Sequence, residues 1–99
     1  MRAFKAPADC ADMDELRAEI DALDAALVGL LARRAGYIDR AAQIKAEVGL
    51  PADIPARVEE VVARVRATAT AEGLDADLAE ALWRHLIRWS IDREAVTLG

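Results

Sequence analysis

Two cations interrupt an otherwise apolar pattern. Arg34 falls where a 4-and-3 repeat through Leu16, Ile20, Leu23, Leu27 and Leu30 calls for another apolar residue, and Lys45 follows eleven residues later. On a helix turning about 100° and rising 1.5 Å per residue, the two sit about 20° apart around the axis and about 16 Å apart along it. Both side chains are long enough to bend toward a common point. A small dianion suits that point, with Arg34 gripping a carboxylate through its planar fork and Lys45 acting as a compact charge. Spacing alone leaves the plainer alternative open, that both are surface cations with stems laid along apolar neighbours.

Arg17 lies seventeen residues before Arg34, about 25 Å along the same helix axis and on a different stripe. It cannot reach a ligand between Arg34 and Lys45 of its own chain. In an antiparallel pair of chains, the start of one long helix lies beside the far part of the other, and Arg17 then enters the second copy's site. Otherwise it is a solvated early-turn arginine. Further on, Trp83, Ile87, Ser90, Ile91 and Glu94 share one stripe at i, i+4, i+7, i+8 and i+11. Ser90 and Glu94 either face a site or mark fraying toward solvent. Arg57 is a first-turn surface charge or a cover for a bundle pocket from the loop side. Trp83, Trp89 and Tyr37 are expected in the core, His85 on the surface, and Cys10 as an inert thiol.

The elements that must position these residues are helices. Asp12 and Glu15 have the spacing of a capping box. The apolar seam resumes at Tyr37, Ala41, Ile44 and Val48, and Gly49-Leu50-Pro51 stops it. One helix of about 35 residues, about 50 Å long, is predicted. A compact domain of this size is only about 26 Å across in twice its radius of gyration. The long helix therefore needs cover from another chain, most economically in a symmetric dimer. After the loop LPADIP, Asp53 is the expected cap of a second helix with Pro55 in its first turn and a face of Val58, Val61, Val62 and Val65. Gly73 closes that helix, and Asp75 caps a third one carrying Leu78, Leu82, Trp83, Leu86, Ile87, Trp89 and Ile91. The fold class is all-α: three helices, one long and two shorter, in a single domain over residues 1–99 with an N-terminal arm at 1–11.

Composition bounds the chemistry. Of 99 residues, 55% are hydrophobic, but 23 are Ala and only 26 are Leu, Ile, Val or Met, enough for one modest core or one helical seam. The net charge of −5 argues against a general nucleic-acid binder. An anionic ligand must be held by a local cluster of cations against the overall field. One Cys and one His exclude an intramolecular disulfide and a Cys/His zinc site. No apolar run reaches the roughly 20 residues of a membrane span, and MRAFKAPADC lacks a signal peptide's apolar stretch, so the cytoplasm is the expected location.

The runs LRAEIDALDAALVGLLARR, IKAEVGLP, ARVEEV and AEGLDADLAEALWRHLIRWSIDRE together resemble the all-helical chorismate mutases, over residues from about 9 to 95. The PADC segment and the ARR–GYI–RAA–IKA region look closest to the isochorismate pyruvate-lyases of the same fold. The resemblance implies an intertwined homodimer with two sites, each completed by the other chain. It implies that Arg34 binds one carboxylate of chorismate or isochorismate and that Arg17 of the second copy binds the other. It further implies that Lys45 donates to the bridging ether oxygen, that Arg57 adds a carboxylate contact, and that Ser90 touches a carboxylate.

Two positions pull in opposite directions. Val58 stands where many bacterial mutases carry a Glu for the ring hydroxyl and where the lyase branch tends to be aliphatic. Ser90 is the residue that mutases often have where lyases are typically aromatic. Glu94 stands where both branches often have Gln, so it must carry a proton to help a developing negative charge. Both reactions are pericyclic and require no nucleophile, metal or redox cofactor. Chorismate mutase is the first expectation, isochorismate pyruvate-lyase the second, and a non-catalytic helical dimerisation module the third.

Overall fold

The computed structural model describes residues 3–98, and every regular element among them is helical. A single 3₁₀ turn, Pro7–Asp9, precedes α1 (Met13–Val48), α2 (Pro55–Glu72) and α3 (Ala76–Leu98). The long helix is a continuous 36 residues.

The helix ends follow local chemistry. Asp12 Oδ1 accepts from the Glu15 N–H at 2.8 Å, and the Glu15 carboxylate reaches back to the Ala11 N–H, also at 2.8 Å. That is a capping box displaced by one residue. The Ala11 hydrogen bond, and then Lys5, hold the Glu15 carboxyl below the usual carboxylate range. At the other end Gly49 takes the left-handed conformation (φ 78°), and the N–H groups of Gly49 and Leu50 both donate to the Lys45 carbonyl at 2.8 and 2.9 Å. Gly73 (φ 76°) closes α2 in the same way. Asp75 Oδ1 caps α3 by accepting from the N–H groups of Asp77 and Leu78.

The expected cap of α2 is corrected. Ile54, not Asp53, occupies that position, and no side chain caps the helix. Pro55 supplies the reason: as the first helical residue it makes Ile54 the cap and holds it extended, and the Ile54 side chain has no hydrogen-bond acceptor. The Asp53 carboxylate instead lies 3.9 Å from the Arg88 guanidinium.

The chain divides into two compact units, one closing at Gly36 and the other opening at Tyr37. In the first, the arm is tied to the opening turns of α1. The Lys5 ammonium lies 3.3 Å from Glu15, and the Lys5 N–H donates to Glu19 at 3.4 Å. None of residues 3–36 is buried. The seam of Ile20, Leu23, Leu27 and Leu30 lies open, Leu27 being 54% exposed.

The second unit has a core. Val62, Ile87 and Ile91 are buried at its centre, with Ala52, Val58, Val61 and Trp83 packed against them. Around them run charged ties between α2 and α3. Arg84 bonds Glu59 and Glu80, while Arg66 bonds Glu80, Asp77 and the Ala76 carbonyl. The carboxylates raise both guanidinium pKa values above the ordinary range.

Two expected core aromatics lie elsewhere. Tyr37 is 73% exposed, because the stripe of α1 that closes here centres on Ala42, one position round from the Tyr37–Ala41–Ile44–Val48 seam. Trp89 is 46% exposed, with the Arg93 guanidinium 5.2 Å over its ring. Leu78 and Leu82 are likewise open, whereas Trp83 joins the core and His85 is exposed as expected.

Candidate functional site

Lys45 is in the last turn of α1, where a cation complements the helix's carbonyl end. Its ammonium donates to the Ala52 carbonyl at 3.0 Å and lies 2.7 Å from Glu94 Oε1. Both ions are largely withdrawn from water, the side chains being 18% and 5% exposed. The two are 49 positions apart in sequence (94 − 45).

The pair is unequally satisfied. Glu94 Oε1 is buried and has no hydrogen bond, although the ammonium is close enough to supply one. The approach is therefore an ion pair whose angles fall short of a hydrogen bond.

One turn earlier, Ser90 is 3% exposed and its hydroxyl donates to the Leu86 carbonyl at 2.8 Å. The whole stripe Trp83–Ile87–Ser90–Ile91–Glu94 turns inward, so fraying does not explain its polar end. Beside Lys45, the end of α1, the Gly49–Ala52 loop, Thr97 and Leu98 line an open cleft of about 500 Å³. That volume is in the range of small-molecule sites.

The other candidates are placed as follows. Arg57 is exposed and pairs with Glu60 three residues on, while its neighbour Val58 packs on the core. In the first unit, Arg17 is exposed on the second turn of α1. Arg34 is half-buried, and desolvation pushes its guanidinium below the usual pKa. An arginine remains charged through such a shift, so an incoming carboxylate would offset the cost of burying it.

Two features escaped the sequence. The Ala52 carbonyl that orients Lys45 is a backbone group and carries no residue signature. Asp39 and Arg93 form a two-bond pair across 54 positions, which helical periodicity cannot match up. Only the i, i+4 spacing of Trp89 and Arg93 was there to read. Among the described residues, no group of three or more His, Cys, Asp or Glu is arranged to hold a metal, and no helix is long and apolar enough to cross a membrane.

Comparison with known proteins adds independent information. Residues 16–95 match the chorismate mutase type II family. An isochorismate pyruvate lyase of Pseudomonas aeruginosa is 36% identical over 89 residues, covering 89% of this chain and 86% of that protein. A T-protein of Enterobacter agglomerans is 36% identical over 84 residues, and one of Haemophilus influenzae 34% over 82. This chain spans only 22% of the length of each T-protein. The matched span takes in Arg17, Arg34, Lys45, Arg57, Ser90 and Glu94, and the chain belongs to the type II chorismate mutase family.

Proposed function

We propose that this chain is a single-domain chorismate mutase, an isomerase converting chorismate to prephenate as an intertwined homodimer. The observation that carries the reading is the buried Lys45–Glu94 pair. In the rearrangement the ether C–O bond breaks as the end of the enolpyruvyl arm forms a new C–C bond to the ring, and negative charge gathers on the ether oxygen. Lys45 donates to that oxygen. Glu94, 2.7 Å from the Lys45 ammonium, holds that donor in place. Arg34 holds one carboxylate and Ser90 lies beside the site. Arg57 closes over the loop side after releasing Glu60.

Arg17 of the second copy binds the other carboxylate. The open seam of Ile20, Leu23, Leu27 and Leu30 supports a dimer, since a contiguous apolar face of that length calls for cover. Catalysis comes from holding the enolpyruvyl arm over the ring and from donors already aimed at the developing charge.

A second reading, isochorismate pyruvate-lyase giving salicylate and pyruvate, is favoured by Val58. That residue packs on the core and offers no polar partner to a ring hydroxyl. Incubating the purified protein separately with chorismate and isochorismate, and following prephenate and salicylate, decides between the two. Turnover of neither substrate overturns both in favour of a non-catalytic helical dimer. A second test concerns the pair: Glu94→Ala, which leaves Lys45 without its buried partner, should lower kcat/KM for chorismate. An unchanged kcat/KM removes the proposed role of Glu94.

A further inference from the structure

Arg93 directly precedes the buried Glu94, yet its side chain is 45% exposed. Adjacent helical residues are about 100° apart around the axis, so a buried Glu94 puts Arg93 on the flank of α3. There its Nε and Nη2 donate to Asp39 Oδ1 and Oδ2 at 2.6 and 2.9 Å, two nearly parallel bonds to a residue of α1. The same guanidinium lies over the ring of Trp89, one turn back on α3. Both partners of the pair are about half exposed, 45% for Arg93 and 47% for Asp39.

An exposed pair of this kind ordinarily adds little to stability, because long side chains must be held still in water. Here the freezing is shared: the indole face sets the plane of the fork, and the fork then accepts the carboxylate in one orientation only. The Asp39 carboxyl is held below its usual range, chiefly by the Arg93 hydrogen bond, so the tie persists at neutral pH. Its position gives the tie a role. Asp39 is six residues, about 9 Å, before Lys45 on α1. The tie thus joins the same two helix segments that carry Lys45 and Glu94. A rigid two-bond strut on the flank sets how far α1 can slide or roll against α3, and hence the 2.7 Å spacing of the buried pair.

We infer that Asp39, Arg93 and Trp89 form a positioning strut that fixes the register of Lys45 against Glu94. The inference rests on the proposed catalytic role of that pair. Loss of the strut should slow the chemical step without weakening substrate binding, since misplacement on the scale of 1 Å can cost up to about 100-fold in rate.

The test uses the full-length protein with Asp39→Asn, Arg93→Ala, Arg93→Lys and the double variant Asp39→Asn/Arg93→Ala. In each, kcat should fall on the order of tenfold with KM within about twofold of wild type. The double variant should be no worse than the singles, because both remove one strut. Arg93→Lys, which keeps the charge but loses the fork and the stacking, should resemble Arg93→Ala. Unchanged kcat, a rise in KM alone, multiplying single effects, or full activity in Arg93→Lys would each overturn the strut. Amide hydrogen exchange supplies a readout that does not need turnover: residues 40–48 should exchange faster in the variants while α2 keeps its protection. If the wild type turns over neither substrate, the catalytic reading fails. Exchange then decides the strut alone, faster exchange at 40–48 sustaining it and unchanged exchange overturning it.

Discussion

Residues 3–36 and residues 37–98 obey different rules. The first unit has helix caps, an arm tied by Lys5, and a long apolar seam, but no buried residue. The second has a closed core of Val62, Ile87 and Ile91 and charged groups paired across helices. Both carry candidate site residues: Arg17 and Arg34 in the first unit, Lys45, Arg57, Ser90 and Glu94 in the second. The difference indicates that the two groups are held by different means. Packing within the second unit holds Lys45 and Glu94, whereas Arg17 sits on a unit in which no described residue is buried. On the proposed dimer, the first unit is the part a second copy would cover.

The largest effect expected from this contrast is on assembly. Asp at both Leu23 and Leu27 should split the dimer. Losing a packed leucine costs about 2–5 kcal/mol, and each appears twice in a symmetric pair, so the dimer Kd should rise on the order of 10³-fold or more. Sedimentation velocity measures this directly, and an unchanged dimer mass would erase the distinction between the units. Next in size is Lys45→Ala, which should lower kcat/KM by about 10²–10³-fold, or about 3–4 kcal/mol, with no change in sedimentation. A variant that also fell apart would show that the two units are not separable in function.

A smaller effect probes the core. Ile87→Val should cost about 1 kcal/mol and lower Tm by about 4–8 °C, whereas Val28→Ala in the first unit, 65% exposed in the single chain, should change it less. Equal shifts would place Val28 inside a packed interface and sharpen where the dimer contact runs. The smallest concerns acid. Arg93 depresses the folded-state pKa of Asp39, so its contribution is complete above the unfolded carboxyl value near 3.9 and is lost as pH falls through the lower folded value. Urea midpoints at pH 5 and pH 3 should therefore differ slightly less in Arg93→Ala than in wild type. An identical difference in both would remove Asp39 from the acid response.

Much of the fold is legible in the sequence, and what is legible is local. Gly49, Gly73 and Asp75 act through backbone geometry within a few residues, so their roles at helix ends could be read locally. Trp83, Ile87, Ser90, Ile91 and Glu94 share a stripe by arithmetic alone. Asp53 is a good capping side chain, but Pro55 at the first helical position makes Ile54 the cap. Tyr37 lies on the regular 4-and-3 seam, yet the inward stripe centres on Ala42, whose methyl group is too weak an apolar signal to mark it, and Trp89 is 46% exposed with Arg93 over its ring. The Asp39–Arg93 tie depends on how α1 meets α3, which no local pattern encodes.

Half of the apolar residues buried among the described ones are alanines: Ala42, Ala69 and Ala79, beside Val62, Ile87 and Ile91. A methyl group at such a point leaves almost nothing to trim and no room to grow. Enlarging it to Val overpacks at a cost of about 1–3 kcal/mol, and reducing it to Gly forfeits about 1 kcal/mol of helix propensity. Variation over evolutionary time is thereby steered away from these alanines and toward the larger side chains and the loop that border the cleft. A scaffold constrained in this way can be retuned from one substrate to a close analogue while its backbone remains almost unaltered.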